Sequence, residues 1–162
     1  MDAATPDEPA RILLVDDEKV VREMLMHVLS AEGFSVRLAE DGLQAWQELQ
    51  RRSYHLVLSD LKMPHMNGLE LLQRISEGRL PVVTIIMTAF GTVETAIEAM
   101  KRGAYDYILK PFKNEDVIRV IHKALKQQKL QQENFLLKEA VTLYQLSDAM
   151  AHELSLDRIL DI

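Results

Sequence analysis

The chain has 162 residues and a formal net charge of −6, which suits one domain with an extension better than two full domains. No stripe of Lys and Arg is present, so direct nucleic-acid binding by this segment is not expected. The lack of cysteine excludes a disulfide framework and thiol chemistry. No apolar run approaches the roughly 18 residues that a membrane-crossing helix needs. Residues 1–9 are acidic, Pro-containing and without the apolar core of a signal peptide. The chain therefore reads as a soluble, cytoplasmic protein with no membrane partner.

In chain order, residues 1–9 are expected to be disordered. Ile12-Leu13-Leu14-Val15 is a short apolar run that predicts a first buried strand, and Asp16, Asp17 and Glu18 follow at once. Val20, Val21, Met24, Leu25, Val28 and Leu29 recur at helical spacing, and Gly33 closes that helix. Phe34, Val36 and Leu38 alternate as a second strand. Asp41-Gly42 marks a turn, and a helix from about Leu43 to Arg52 should bury Ala45, Trp46 and Leu49. Leu56 to Asp60 is the third strand. Such an apolar run suits a parallel strand covered on both faces. It ends on a carboxylate, before a turn with Pro64, Asn67 and Gly68.

The third helix is predicted over Asn67–Glu77, with Leu69, Leu72 and Ile75 inward, and Gly78 and Pro81 punctuate. Val82 to Met87 forms the fourth strand, ending at Thr88-Ala89. Thr92 can cap a helix running to about Arg102, which Gly103 ends. Tyr105 to Leu109 is the fifth strand, followed by Lys110-Pro111. Asn114 is placed as the cap of the fifth helix, with Glu115 and Asp116 where the helix dipole favours anions. Alternating strands and helices over about residues 11–126 argue an α/β fold: a doubly wound, parallel, five-stranded sheet with right-handed crossovers.

From about Lys126 the composition changes to good helix formers with no breaker. Leu136, Ala140, Leu143, Ser147, Met150 and Leu154 then step by four and three. The fifth helix is expected to continue to about Glu153 and to bury this stripe against a partner helix. The organisation read is 1–9, a disordered terminus; 10–126, the sheet domain; and 127–162, a helical or coiled-coil linker, with the start of a truncated downstream domain as the alternative.

In a parallel sheet all strand carboxyl ends lie along one edge. Asp16 and Asp17, Asp60, Thr88 and Lys110 therefore converge there. Clustered carboxylates repel and tend to neutralise. Mg²⁺ removes the problem, since it takes oxygen ligands and accepts one or two carboxylates alongside phosphate oxygens. Lys110 supplies a compact cation and Thr88 a hydroxyl. Asp60 is then a carboxylate nucleophile for a phosphoryl group, with Asp16 and Asp17 holding the metal. Taken singly, Asp16-Asp17 could cap a helix, Thr88 could be an ordinary strand residue and Lys110 a solvated loop lysine. Their common edge is what favours phosphoryl chemistry.

Val15-Asp16-Asp17-Glu18, Ser59-Asp60-Leu61-Lys62-Met63-Pro64 with Asn67-Gly68, Met87-Thr88-Ala89 and Gly103 to Phe112 resemble the receiver domain of two-component response regulators. The resemblance covers about residues 10–126 and implies a flavodoxin-like (βα)5 fold. It implies phosphorylation of Asp60 by a histidine kinase or phosphotransfer protein, and Mg²⁺ held by Asp16 or Asp17, Asp60 and the backbone carbonyl of Lys62. It also implies a Lys110 contact to the phosphoryl group, a cis Lys110-Pro111 bond, and a switch in which Thr88 turns inward and Tyr107 passes from exposed to buried. Output would run through the fourth helix, fifth strand and fifth helix to a homodimer partner, through the C-terminal helix, or through both. Residues 90–107 are similar to nitrogen-regulator-type receivers, and Leu143 onward resembles the lead-in to a GAF sensor domain. Ala151-His152-Glu153-Leu154 echoes a histidine-kinase box, but its following Arg-Thr-Pro is absent, and a solvated helix histidine is the default.

The rival enzyme class is an Asp-nucleophile, Mg²⁺-dependent phosphohydrolase of the haloacid-dehalogenase type. That chemistry wants an acid/base Asp two residues after the nucleophile, where this chain has Lys62. A pseudo-receiver would be expected to lose an acidic residue, Thr88 or Lys110. A stand-alone receiver that acts by binding alone stays open. The reading is a switch without substrate turnover, self-dephosphorylating at a rate that depends on Lys62 and Phe90.

Overall fold

The computed structural model describes residues 8–89 and 91–160. The disorder expected for 1–9 falls mostly outside these residues, as does Phe90. Strands β1 (Arg11–Val15), β2 (Ser35–Ala39), β3 (Leu56–Asp60), β4 (Val83–Thr88) and β5 (Asp106–Leu109) alternate with helices α1 (Lys19–Ala31), α2 (Gly42–Arg51), α3 (Gly68–Glu77), α4 (Val93–Lys101) and α5 (Asn114–Leu160). The strands form one sheet in the order β2-β1-β3-β4-β5, and every pairing is parallel. This is the flavodoxin-like doubly wound fold. Among the described residues no helix is long and apolar enough to cross a membrane.

Successive strand residues point to opposite faces, and the core divides accordingly. Ile12, Leu14, Leu56, Leu58, Ile85 and Met87 meet Leu25 and Leu29 of α1 and Val117, Ile121 and Ala124 of α5. On the other face Leu13, Val15 and Val57 meet Ala45 and Leu49 of α2 and Leu71 and Ile75 of α3. Ile86 packs with Leu72 and with Ala99 of α4. Burying each such aliphatic side chain is worth about 1.5–3 kcal/mol, so the three central strands carry most of the driving force.

Helix starts follow side-chain caps. Asp41 accepts from the Gln44 N–H and Asn67 from the Glu70 N–H. Thr92 and Thr95 form a reciprocal capping box. Some expectations are corrected. Asn114 is the first residue of α5 rather than its cap, and the Lys113 carbonyl accepts from the Asp116 and Val117 N–H groups. In α1 the inward residues are Arg22, Leu25 and Leu29, while Val20 and Met24 are exposed. The apolar residues of α1 occupy more than one face, and spacing alone did not select the packed one. In α3, Leu72 and Ile75 are buried as expected and Leu69 packs half-buried against the core, while Leu71 is a further buried residue that the spacing did not name.

The chain divides into two compact units, Met1–Leu125 and Lys126–Ile162. The second lies in α5, which runs to Leu160, seven residues beyond the expected end at Glu153. No Gly or Pro interrupts it. Leu136, Leu143, Met150 and Leu154 are exposed along it.

The β3–α3 connection sets the position of Asp60. The Gly68 N–H donates to the Leu61 carbonyl at 2.8 Å. A Cβ on Gly68 would stand 2.3 Å from the Asp60 carbonyl oxygen. Backbone cannot yield as a side-chain tip does, so Gly68→Ala is expected to destabilise the protein by about 1–3 kcal/mol. Urea unfolding should show a lower midpoint at unchanged slope.

Candidate functional site

Strand order reverses between β1 and β3, where connections leave to opposite faces and open a crevice at the carboxyl edge. Asp16 follows β1 and Asp60 ends β3. Both are buried, at 0% and 6% exposure. Exposed Asp17 completes a group whose carboxylate oxygens lie within 4.8 Å of one another. An all-oxygen, carboxylate-rich set of this kind fits a hard divalent cation.

From the far side, the β5–α5 connection delivers Lys110. Its Nζ donates to Asp16 Oδ2 at 2.7 Å and lies 3.4 Å from Asp60 Oδ2. Lys110-Pro111 is cis. The Lys110 N–H donates to the Thr88 carbonyl at 2.9 Å, which ties the ammonium to the end of β4. Burial pushes the Asp60 carboxyl above its ordinary pKa and the Asp16 charge adds to that, while Lys110 and the Leu61 N–H pull the other way and do not cancel it. Burial alone would lower the Lys110 pKa, but its bond to Asp16 and the charges of Asp16 and Asp60 outweigh that and hold it above its usual value. The site is thus a carboxylate that resists ionisation beside an ammonium that resists deprotonation.

Short bonds fix the loops. Asp16 Oδ1 accepts from the Glu18 N–H at 2.9 Å, and the Asp16 carbonyl accepts from Arg22 Nη1 at 2.7 Å. Asp60 Oδ1 accepts from the Leu61 N–H at 2.7 Å, leaving Oδ2 turned to Lys110. Of the residues singled out in the sequence, Asp16, Asp17, Asp60 and Lys110 are brought together. Thr88 is fully buried at the adjoining strand end, and Lys62 follows Asp60 with its side chain exposed. Tyr107 is not part of the cluster. Its ring packs partly buried against Leu61, Leu72, Ile86 and Ala99, and its hydroxyl lies 3.1 Å from Thr95 Oγ1. His152 is exposed on α5.

Sequence reasoning missed Arg22 and Thr95. Arg22 stands three and seven residues before Leu25 and Leu29, so the helical period itself marks it as inward. Thr95 follows Thr92 by three, a capping-box spacing, but nothing local points to its bond with Tyr107.

The response regulator receiver domain matches residues 12–122, and the chain belongs to that family. The regulatory protein AtoC of Escherichia coli is 39% identical over 134 residues, covering 82% of this chain and 29% of that protein. NtrX from Brucella abortus superposes with a TM-score of 0.72 at 37% identity, over 77% of this chain and 28% of that one. The receiver domain of a putative Luxo repressor protein from Vibrio parahaemolyticus gives 0.74 at 30% identity, over 76% and 95%. The chain thus spans under a third of AtoC and of NtrX.

Because the Asp60 pKa is raised on folding, its stability contribution is fully present below the unfolded value and is lost as pH rises through the folded one. Asp60 therefore weakens the fold at neutral pH. Asp60→Asn keeps an acceptor for the Leu61 N–H. In chelator, at pH 7, it is expected to melt about 2–4 °C above the parent. Melting curves should show that advantage shrinking as pH falls to about 4, near the unfolded aspartate pKa.

Proposed function

We propose that this chain is a phosphorylation-controlled switch that takes a phosphoryl group onto Asp60 from the phosphohistidine of a histidine kinase or phosphotransfer protein. The observation that carries the reading is the convergence of Asp16, Asp17, Asp60 and Lys110 at the carboxyl edge. Asp60 Oδ2 attacks phosphorus, a P–O bond forms, the P–N bond to imidazole breaks, and the leaving ring nitrogen takes a proton from water. Asp16, Asp17, Asp60 and the Lys62 carbonyl would hold Mg²⁺, which when bound offsets charge on the transferring oxygens. Lys110 orients toward the same oxygens, and Thr88 supplies a hydroxyl for a charge-assisted hydrogen bond to the product. Lys62 stands where hydrolytic turnover would need an acid/base aspartate, which favours a switch over an enzyme.

The output surface is α4, β5 and the first part of α5. Val93, Ile97 and Met100 on α4 and Leu109 on β5 are exposed there, an apolar set suited to a second copy of the chain. Tyr107 ties β5 to α4 through Thr95, and it pairs with Ile86 of β4, along which movement of Thr88 would reach it. The exposed stripe from Leu136 to Leu154 supports pairing of the C-terminal helices and a lead-in to a following domain of the GAF sensor type. In a longer protein that output would include transcriptional control.

With Mg²⁺ and a small acyl phosphate, intact mass is expected to show a single phosphoryl adduct that is absent from Asp60→Asn. An unmodified, folded parent would leave only a binding role. Light scattering on the same samples is expected to show phosphorylation raising the average mass. Tyr107→Ala should accept the phosphoryl group but lose most of that rise, and an unchanged rise would remove Tyr107 from the switch.

A further inference from the structure

The opposite edge of the sheet carries a cavity of about 260 Å³ between the C-terminal ends of α3 and α4, lined among others by Ser76, Arg79, Thr84, Arg102 and Gly103. Thr84 lies near the amino end of β4, two residues before Ile86, and so faces the α3–α4 side. It is 2% exposed, and among the described residues its Oγ1 has no hydrogen-bond partner. Buried hydroxyls are ordinarily satisfied, and each exception calls for a physical account.

The arginines are placed with some backbone cost. Gly78 ends α3 with ordinary right-handed angles (φ −76), and Arg79, the next residue, takes the left-handed conformation (φ 50). That position usually goes to glycine or asparagine. The turn is closed by bonds from Arg79 N–H to the Ser76 carbonyl and from Leu80 N–H to the Ile75 carbonyl. The Arg79 side chain has no ion pair among the described residues. Arg102 donates from Nε to Glu98 Oε1 at 2.8 Å and from Nη1 to the Leu69 carbonyl at 3.4 Å, so it joins α4 to the start of α3. Glu98 is matched by Arg102, and the helix-end carbonyls account for part of the remaining cationic preference. Arg79 is the charge that this balance does not absorb.

We propose that this cavity is a second binding site, for a small ligand bearing an oxyanion, with Arg79 and Arg102 receiving the anion and Ser76 and Thr84 hydroxyls bonding to it. Guanidinium groups suit carboxylate and phosphate oxygens because they present paired donors. The volume lies just below the range typical of drug-sized ligands, which selects a small molecule over a polymer. The site is separate from the Asp60 crevice and does not depend on the phosphoacceptor reading. An occupant would bridge the trailing ends of α3 and α4, the helix whose leading end bears the Thr95–Tyr107 contact.

The test is amide NMR of the full chain, without divalent cation and at constant ionic strength, titrated to tens of millimolar with inorganic phosphate and, separately, with succinate. Saturable shifts at Thr84 and Gly103 that persist in Asp60→Asn are expected, and the stronger arm tells a phosphate from a carboxylate ligand. Arg79→Gln alters an exposed turn and Thr84→Val is isosteric, so both should fold. Each is expected to weaken binding about tenfold or more, as loss of a hydrogen bond to a charged group does. Shifts that stay linear in both arms, or that are equal in the parent and both variants, would overturn the site and leave Thr84 satisfied by buried water alone.

Discussion

Everything at the carboxyl edge depends on keeping two buried carboxylates, Asp16 and Asp60, side by side. Water would ordinarily screen them, and the core around β1 and β3 removes that screening. Lys110 sets an ammonium against both, at 2.7 Å from the first and 3.4 Å from the second. Burial and the neighbouring Asp16 charge outweigh Lys110 and the Leu61 N–H, so Asp60 stays reluctant to ionise. The fold holds this unresolved charge where a cation or a new covalent group can reach it, a common arrangement at functional sites.

The sheet makes the arrangement possible. Parallel pairing sends every strand end to one edge, and the reversal of order between β1 and β3 keeps helices from covering that edge at its centre. The neighbours are then recruited by backbone rather than by chance. Arg22 reaches from α1 to the Asp16 carbonyl, and Lys110 is tied to β4 through the Thr88 carbonyl. The trailing edge is different. There the ends of α3 and α4 leave arginines and a hydroxyl without a partner among the described residues around a small cavity.

The fold was legible because the central strands are nearly unbroken apolar runs and the turns between them carry Gly, Pro, Asn or Asp. Asp60, Asp16 and Lys110 could be brought together from topology alone, since strand ends in a parallel sheet share an edge whatever the side chains do. What stayed hidden needed knowledge of which helix face is packed. Val20 and Met24 are as apolar as Leu25, so hydrophobicity alone favours the wrong residues, and the spacing that groups Arg22 with Leu25 and Leu29 is masked by its charge. The reach of α5 to Leu160 was underestimated because a fading apolar stripe is not a stop signal where no breaker follows. Thr84 reads as one more strand residue, and only the cavity beside it gives its hydroxyl significance.

The contact between Gly68 and the Asp60 carbonyl has a directional consequence. With 2.3 Å between a would-be Cβ and that oxygen, the joint between β3 and α3 is closed backbone to backbone and has no slack. A group added to Asp60 cannot make room by pushing its own loop backward. The β4 side is built differently: there the tie to the site runs from the Thr88 carbonyl to the Lys110 N–H. The rigid joint acts as an anvil: were a group added to Asp60, this connection is the part of the crevice that would not yield.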